Sequence, residues 1–226
     1  MRPLLRQSWA FHVTNLAQVT PALARELSRS EQLWSWQVSR LHKVSFPKSR
    51  RTVFAMGMYQ VAADHQASIA LLVKAGRIGS ALALVRSCCE AVVMGMWIMH
   101  RAPDDQLEAM GRDEYSPPAL DKLVKQLDKA GLFDRPMFED IEEEIERMHG
   151  FTHGGLQHIA ARYMGDRVGA NYAERDAIWA LRTADLFAVL AALEVAQVTG
   201  DEALAESMYH EARTMLGFDG SGTEVL

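Results

Sequence analysis

The stretch IGSALALVRSCCEAVVMGMWIM, residues 78–99, is apolar on every face, as a helix at the centre of a bundle must be. Only Arg86 and Glu90 interrupt it, one turn apart on the same side. A charged pair placed there has to be paired, hydrogen-bonded or open to a cavity. The stretch also meets the length of about 20 residues that a bilayer demands. Two mid-helix charges would each cost roughly 2.5–3.5 kcal/mol on insertion scales, and the flanking segments are amphipathic. A buried helix of a water-soluble bundle is the better reading.

The helix on its N-terminal side runs from Thr52 to Ala75, with Phe54, Met58, Val61, Ile69, Leu72 and Val73 as its apolar positions. Gly76 can cap it, and the turn to Gly79 is short enough to force an antiparallel hairpin. Farther out, helical periodicity predicts a stretch from Pro3 to Leu27 broken at Pro21, then a helix from Glu31 to Val44 capped by Ser28 or Ser30. Lys48, Arg50 and Arg51 read as a solvated linker. Beyond the central helix come segments at Asp104–Met110, Ala119–Ala130, Met137–Met148, Leu156–Tyr163, Tyr172–Val198 and Glu202–Leu216, the last capped by Asp201. The acidic run Glu139, Asp140, Glu142, Glu143, Glu144 and Glu146 reads as a solvated face. Two-residue alternation and Asn-Gly or Asp-Gly turns are lacking. The fold class expected is therefore all-α, a single-domain helical bundle of about six to eight helices around a central antiparallel pair. It would span residues 1–216, followed by a mobile tail at 217–226.

With 226 residues and 49% hydrophobic content, the chain can bury one good-sized core. Its net charge of −5 argues against a generally basic nucleic-acid coat or an anionic-membrane binder, while leaving room for a local basic patch. The two cysteines, Cys88 and Cys89, are adjacent in the apolar helix and cannot form an ordinary bridge. A reducing, cytoplasmic setting follows, and the charged N-terminus does not read as a secretory signal. The five tryptophans, Trp9 among them, fall at apolar positions on different helices and read as core.

Chemistry suggests itself at two places, Arg86–Glu90 and a histidine cluster at His149, His153 and His158, the first two within the segment Arg147–Gly155. The first is either an ion pair that sets helix register or an anion-binding arginine oriented by its glutamate, with Asp64 and His65 nearby. In the second, His149 and His153 lie one turn apart if the segment is helical. They could then share a metal with a third ligand such as Glu90 or Glu194. Alternatively His153 is a general acid–base beside a phosphate-holding arginine, or a side chain that hydrogen-bonds across a tight glycine contact.

Two resemblances attach to these residues. Gly76-x4-Ala81-x4-Arg86-x3-Glu90, followed by Phe151-Thr152-His153-Gly154-Gly155, resembles a family of uncharacterised bacterial all-helical proteins, which implies the fold. The spacing Arg147-x5-His153 resembles the HEPN superfamily of helical bundles, many of them metal-independent ribonucleases of toxin–antitoxin and phage-defence systems. Met148 stands where that superfamily favours a polar residue. The resemblance implies that Arg147 steadies the scissile phosphate and His153 assists attack by the ribose 2′-OH, in a pocket shared by two protomers. Arg86, Glu90 and His149 would then bind substrate. It also implies RNA and an antitoxin or other protein as partners, a homo-oligomer, no cofactor and no membrane. The contrasting expectations are a non-enzymatic interaction module and a metal- or small-anion-binding bundle.

Overall fold

A computed structural model describes residues 8–9, 20–131, 137–163 and 167–217. Among these, nine helices build an all-α bundle: α1 (Pro21–Leu41), α2 (Arg50–Lys74), α3 (Ile78–His100), α4 (Asp104–Gly111), α5 (Leu120–Asp128), α6 (Met137–Thr152), α7 (Leu156–Ala160), α8 (Glu174–Val198) and α9 (Glu202–Leu216). Ser8–Trp9 (β1) pairs in parallel with Arg167–Val168 (β2), a ribbon too short to leave an alternation in the sequence. The helical reading before Thr20 fails at Ser8–Trp9, which pair as a strand, and otherwise lies outside the described residues, as do the expected mobile tail beyond residue 217, the burial of Trp9 and the side chains of Glu139, Asp140 and Glu142.

The centre is the α2–α3 hairpin. Arg51 meets Ile98, Tyr59 lies on Gly95, and Cys88 reaches the carbonyl of Ala62, a descending register that makes the pair antiparallel. A Cβ at Gly95 would stand 2.4 Å from Tyr59 Cε1, so the missing side chain is what lets the ring lie against α3. The buried face of α2 is Ala55, Tyr59, Ala62, Gln66, Ile69, Ala70 and Val73, whereas Val61 is exposed. Alanines alternate with larger side chains on this face, because α2 packs closely among α1, α3 and α8. Long α8 offers an equally alanine-rich face, and α5 and α6 close over the other side of α3. By length and composition α3 is the one described helix able to cross a membrane, and 61% of its most apolar window is buried inside the bundle.

Two expectations change. Residues 21–41 form one helix rather than two pieces, with Thr20 as N-cap accepting from Leu23 N at 3.2 Å. Pro21 occupies the first turn, where its missing N–H costs nothing, so it opens a helix instead of breaking one. Arg51 is no solvated linker either. It donates to the carbonyls of Ile98 and Ala102 and pairs with Asp104 at 2.6 Å, satisfying acceptors left free at the end of α3.

A polar knot ties α1, α2 and α8 together. Asp185, fully enclosed, accepts from Ser30 Oγ at 2.7 Å and from Gln66 Nε2 at 2.9 Å, with Arg29 3.6 Å from its other oxygen. Burial pushes its carboxyl up to about 6, against the opposing pull of these two hydrogen bonds and of Arg29. Cys88 and Cys89 are free and enclosed, and burial raises the Cys88 thiol to about 12, so neither is a nucleophile at neutral pH.

Candidate functional site

Helix α6 builds one wall of the site. Its inner face carries the buried side chains of Met148 and Phe151, which press it against the core. That orientation turns His149 and His153 outward. Thr152 Oγ1 donates to Met148 O at 2.9 Å and lies 3.4 Å from Ala83 O, so the end of α6 sits beside α3. Gly154 then takes φ 68°, and Gly155 comes so near Gly150 that a Cβ would lie 2.9 Å from its Cα. The glycines therefore stop α6 just before His153 and start α7.

Here α3 and α6 bring four predicted side chains together. Arg86 Nε donates to Glu90 Oε1 at 2.8 Å, and Arg86 Nη1 lies 3.0 Å from His149 Nδ1. A guanidinium only donates, so Nδ1 accepts, and a neutral His149 carries its proton on Nε2. The His153 ring follows at 4.5 Å between centroids, tilted by 44°. Arg86 is only 15% exposed while Glu90 is 46% exposed, so the pair stands at the rim of the bundle instead of in its core. Arg86 Nη2 meets no acceptor among the described residues. The cluster thus presents a fixed guanidinium with a spare donor beside two accessible imidazoles.

Arg147 is placed elsewhere. Its guanidinium stacks 4.1 Å over the Trp179 ring and lies 3.5 Å from Asp176 Oδ1, both on α8. Arg147 is thus held on α8, and the arginine in contact with the histidines is Arg86. Asp64 is exposed and accepts from Gln60 within its own helix, and it contributes nothing to the cluster. Glu194, considered as a metal ligand, accepts instead from Tyr59 Oη at 3.0 Å and faces His100 Nε2 at 2.7 Å. Among the described residues no group of three or more His, Cys, Asp or Glu side chains could hold a metal ion.

The third histidine of the cluster, His158, turns to partners that the sequence did not suggest. His158 Nδ1 donates to Phe151 O at 3.0 Å, which leaves Nε2 to accept from Tyr172 Oη at 3.3 Å. Arg162 stacks 5.1 Å over the same tyrosine ring. Burial raises the Tyr172 hydroxyl, and Arg162 draws it back down. The one available signal was Gly79 at the start of α3, where a Cβ would come within 2.4 Å of Tyr172 Oη.

Fold and cluster together define an all-helical protein with an arginine–histidine site at the seam of α3 and α6. The chain belongs to a family of unknown function, DUF6988, whose model matches residues 59–215 and so takes in Arg86, Glu90, His149 and His153. No curated protein and no solved structure matches it.

Proposed function

We propose that the protein binds RNA and cleaves it without a metal, with Arg86, His149 and His153 as its working groups. The contact between Arg86 and His149, with His153 alongside, carries the reading. Arg86, oriented by Glu90, donates to a non-bridging phosphate oxygen through Nη2 and stabilises the charge that builds there. His153, whose ring nitrogens meet no hydrogen-bond partner among the described residues, takes the proton of the 2′-OH as its oxygen attacks phosphorus. That proton returns through water to the departing 5′-oxygen, leaving a 2′,3′-cyclic phosphate and a free 5′-OH, while His149, its Nδ1 held by Arg86, offers Nε2–H to a phosphate oxygen. Arg147, held on Trp179 and Asp176, then positions α6 in place of touching phosphate. A role beside an antitoxin, or in phage defence, rests on the HEPN-like spacing alone.

The test is incubation of the purified chain with a mixed single-stranded RNA pool in the presence of a chelator. Cleavage should leave cyclic-phosphate ends and fall at least about a hundredfold in His153→Ala, with a smaller loss in His149→Ala and little change in thermal midpoint for either. Arg86→Lys should lower turnover more than RNA affinity. A second reading, an interaction or self-assembly module, is favoured by Leu156, Ile159 and Tyr163, which stand 80%, 61% and 56% exposed next to the histidines. Intact RNA, together with an oligomer that Leu156→Glu dissociates, would replace the first reading with the second.

A further inference from the structure

Trp34, Val38 and Leu41 recur at helical spacing along α1. In the fold they line a cleft of about 390 Å³ that opens to solvent, with Phe46 beyond α1, Met56, Tyr59 and Ala63 of α2, and Ala191, Ala192 and Val195 of α8. That volume lies in the range of small-molecule sites, about 300–1,000 Å³, and its walls are aromatic and aliphatic as such sites require. The cleft is separate from the Arg86 cluster, with which it shares no residue.

Three features say what would fill it. Gln37 lines the cleft and is 5% exposed, yet its Nε2, shut off from solvent, meets no acceptor. An enclosed N–H₂ without a partner carries a penalty, and it meets a ligand oxygen once the amide turns it into the cleft. The terminal torsion of glutamine is broad, so the amide can turn its N–H₂ toward such an oxygen. At the outer end the lining charges are Lys43 and the titratable His42, both exposed, and no carboxylate lines the cleft. Lys43 has no ion-pair partner among the described residues. It also sits at φ 62°, in the left-handed conformation that the residue after a helix cap usually gives to Gly or Asn. Its charge stands at the mouth of the cleft with no carboxylate in the lining to neutralise it.

We infer that this cleft binds a flat organic anion with an aromatic body, taking a hydrogen-bond-accepting oxygen at Gln37 and a carboxylate at Lys43. The body would lie among Trp34, Phe46 and Tyr59. The acceptor end points inward and the charged end stays at the mouth, where the carboxylate keeps part of its water.

The experiment is calorimetric titration of the full chain at low ionic strength with 6-hydroxy-2-naphthoate, 2-naphthoate and 2-naphthol. The hydroxynaphthoate, which has both polar ends, should bind tightest, and each single-ended probe roughly three- to tenfold more weakly. Gln37→Leu should weaken the hydroxynaphthoate by a similar factor and leave 2-naphthoate unchanged, while raising the thermal midpoint because an unpartnered amide has gone. Lys43→Gly should weaken both acids and spare 2-naphthol, again without loss of stability. Equal affinity for the three probes, or probe affinities that neither substitution alters, would overturn the proposal. So would an oligomer of the chain itself that competes with the probes, since a second copy would then be the occupant.

Discussion

Replacing Asp185 by Asn tests the polar knot with a sign that depends on pH. The side chain is wholly enclosed, and its carboxyl is pushed up to about 6 from the 3.8 of an unburied aspartate. Below about pH 4 the group is protonated in both the folded and the unfolded chain and contributes nothing to pH dependence. Between 4 and 6 the unfolded chain ionises first, so folding takes up a proton and stability falls as pH rises. Above 6 the full cost is present. A difference of about two units corresponds to roughly 2–3 kcal/mol. Asparagine keeps an oxygen for Ser30 and Gln66 and carries no charge. Asp185→Asn should therefore match the wild type at pH 4, apart from a constant offset, and gain about 2–3 kcal/mol on it by pH 7.5. In a chain of this size that is a rise of about 5–10 °C in thermal midpoint. Urea unfolding of both proteins at the two pH values gives the difference directly, and every other titrating group cancels from it. If the gap between the variants is the same at pH 4 and pH 7.5, the burial argument fails.

Gly95→Ala should cost about 1–3 kcal/mol, because its methyl group would stand 2.4 Å from a Tyr59 ring whose hydroxyl is tied to Glu194; calorimetric unfolding measures the loss, and a neutral result would mean that the α2–α3 contact is looser than described. Glu90→Ala should cost no more than about 1 kcal/mol, since Glu90 is 46% exposed and Arg86 keeps its contact with His149. A loss of 3 kcal/mol or more in denaturant unfolding would show that the pair is enclosed after all.

The central helix was legible because its composition narrows the options. A segment apolar on all faces and broken by two charges favours burial among other helices over a bilayer, and Ile78–His100 is buried along most of its length with Arg86 and Glu90 at the rim. The hairpin with α2 followed from the short link at Gly76, and the all-α class from uninterrupted helical periodicity. The same reasoning placed Arg86, Glu90, His149 and His153 on a short roll of interesting residues, and in the fold these four meet.

What escaped it were properties that depend on which helices become neighbours. Side-chain spacing along α6 favours pairing Arg147 with His153, yet only the packing of α8 supplies the Trp179 face and the Asp176 carboxylate that take Arg147 away. The buried face of α2 includes Ile69 and Val73, which the apolar pattern picks out, but also three alanines, a tyrosine and a glutamine, which hydrophobicity alone ranks below Val61 and Leu71, both exposed. Closeness of approach between helices selects small residues, and a linear pattern does not encode that distance. Asp185 looks like a surface residue until Ser30 and Gln66, 155 and 119 positions away, arrive to bond it. Periodicity and composition act within a helix and so can be read along the chain. Partners for charges, and the emptiness beside Trp34 and Gln37, arise between helices and exist only once the bundle has closed.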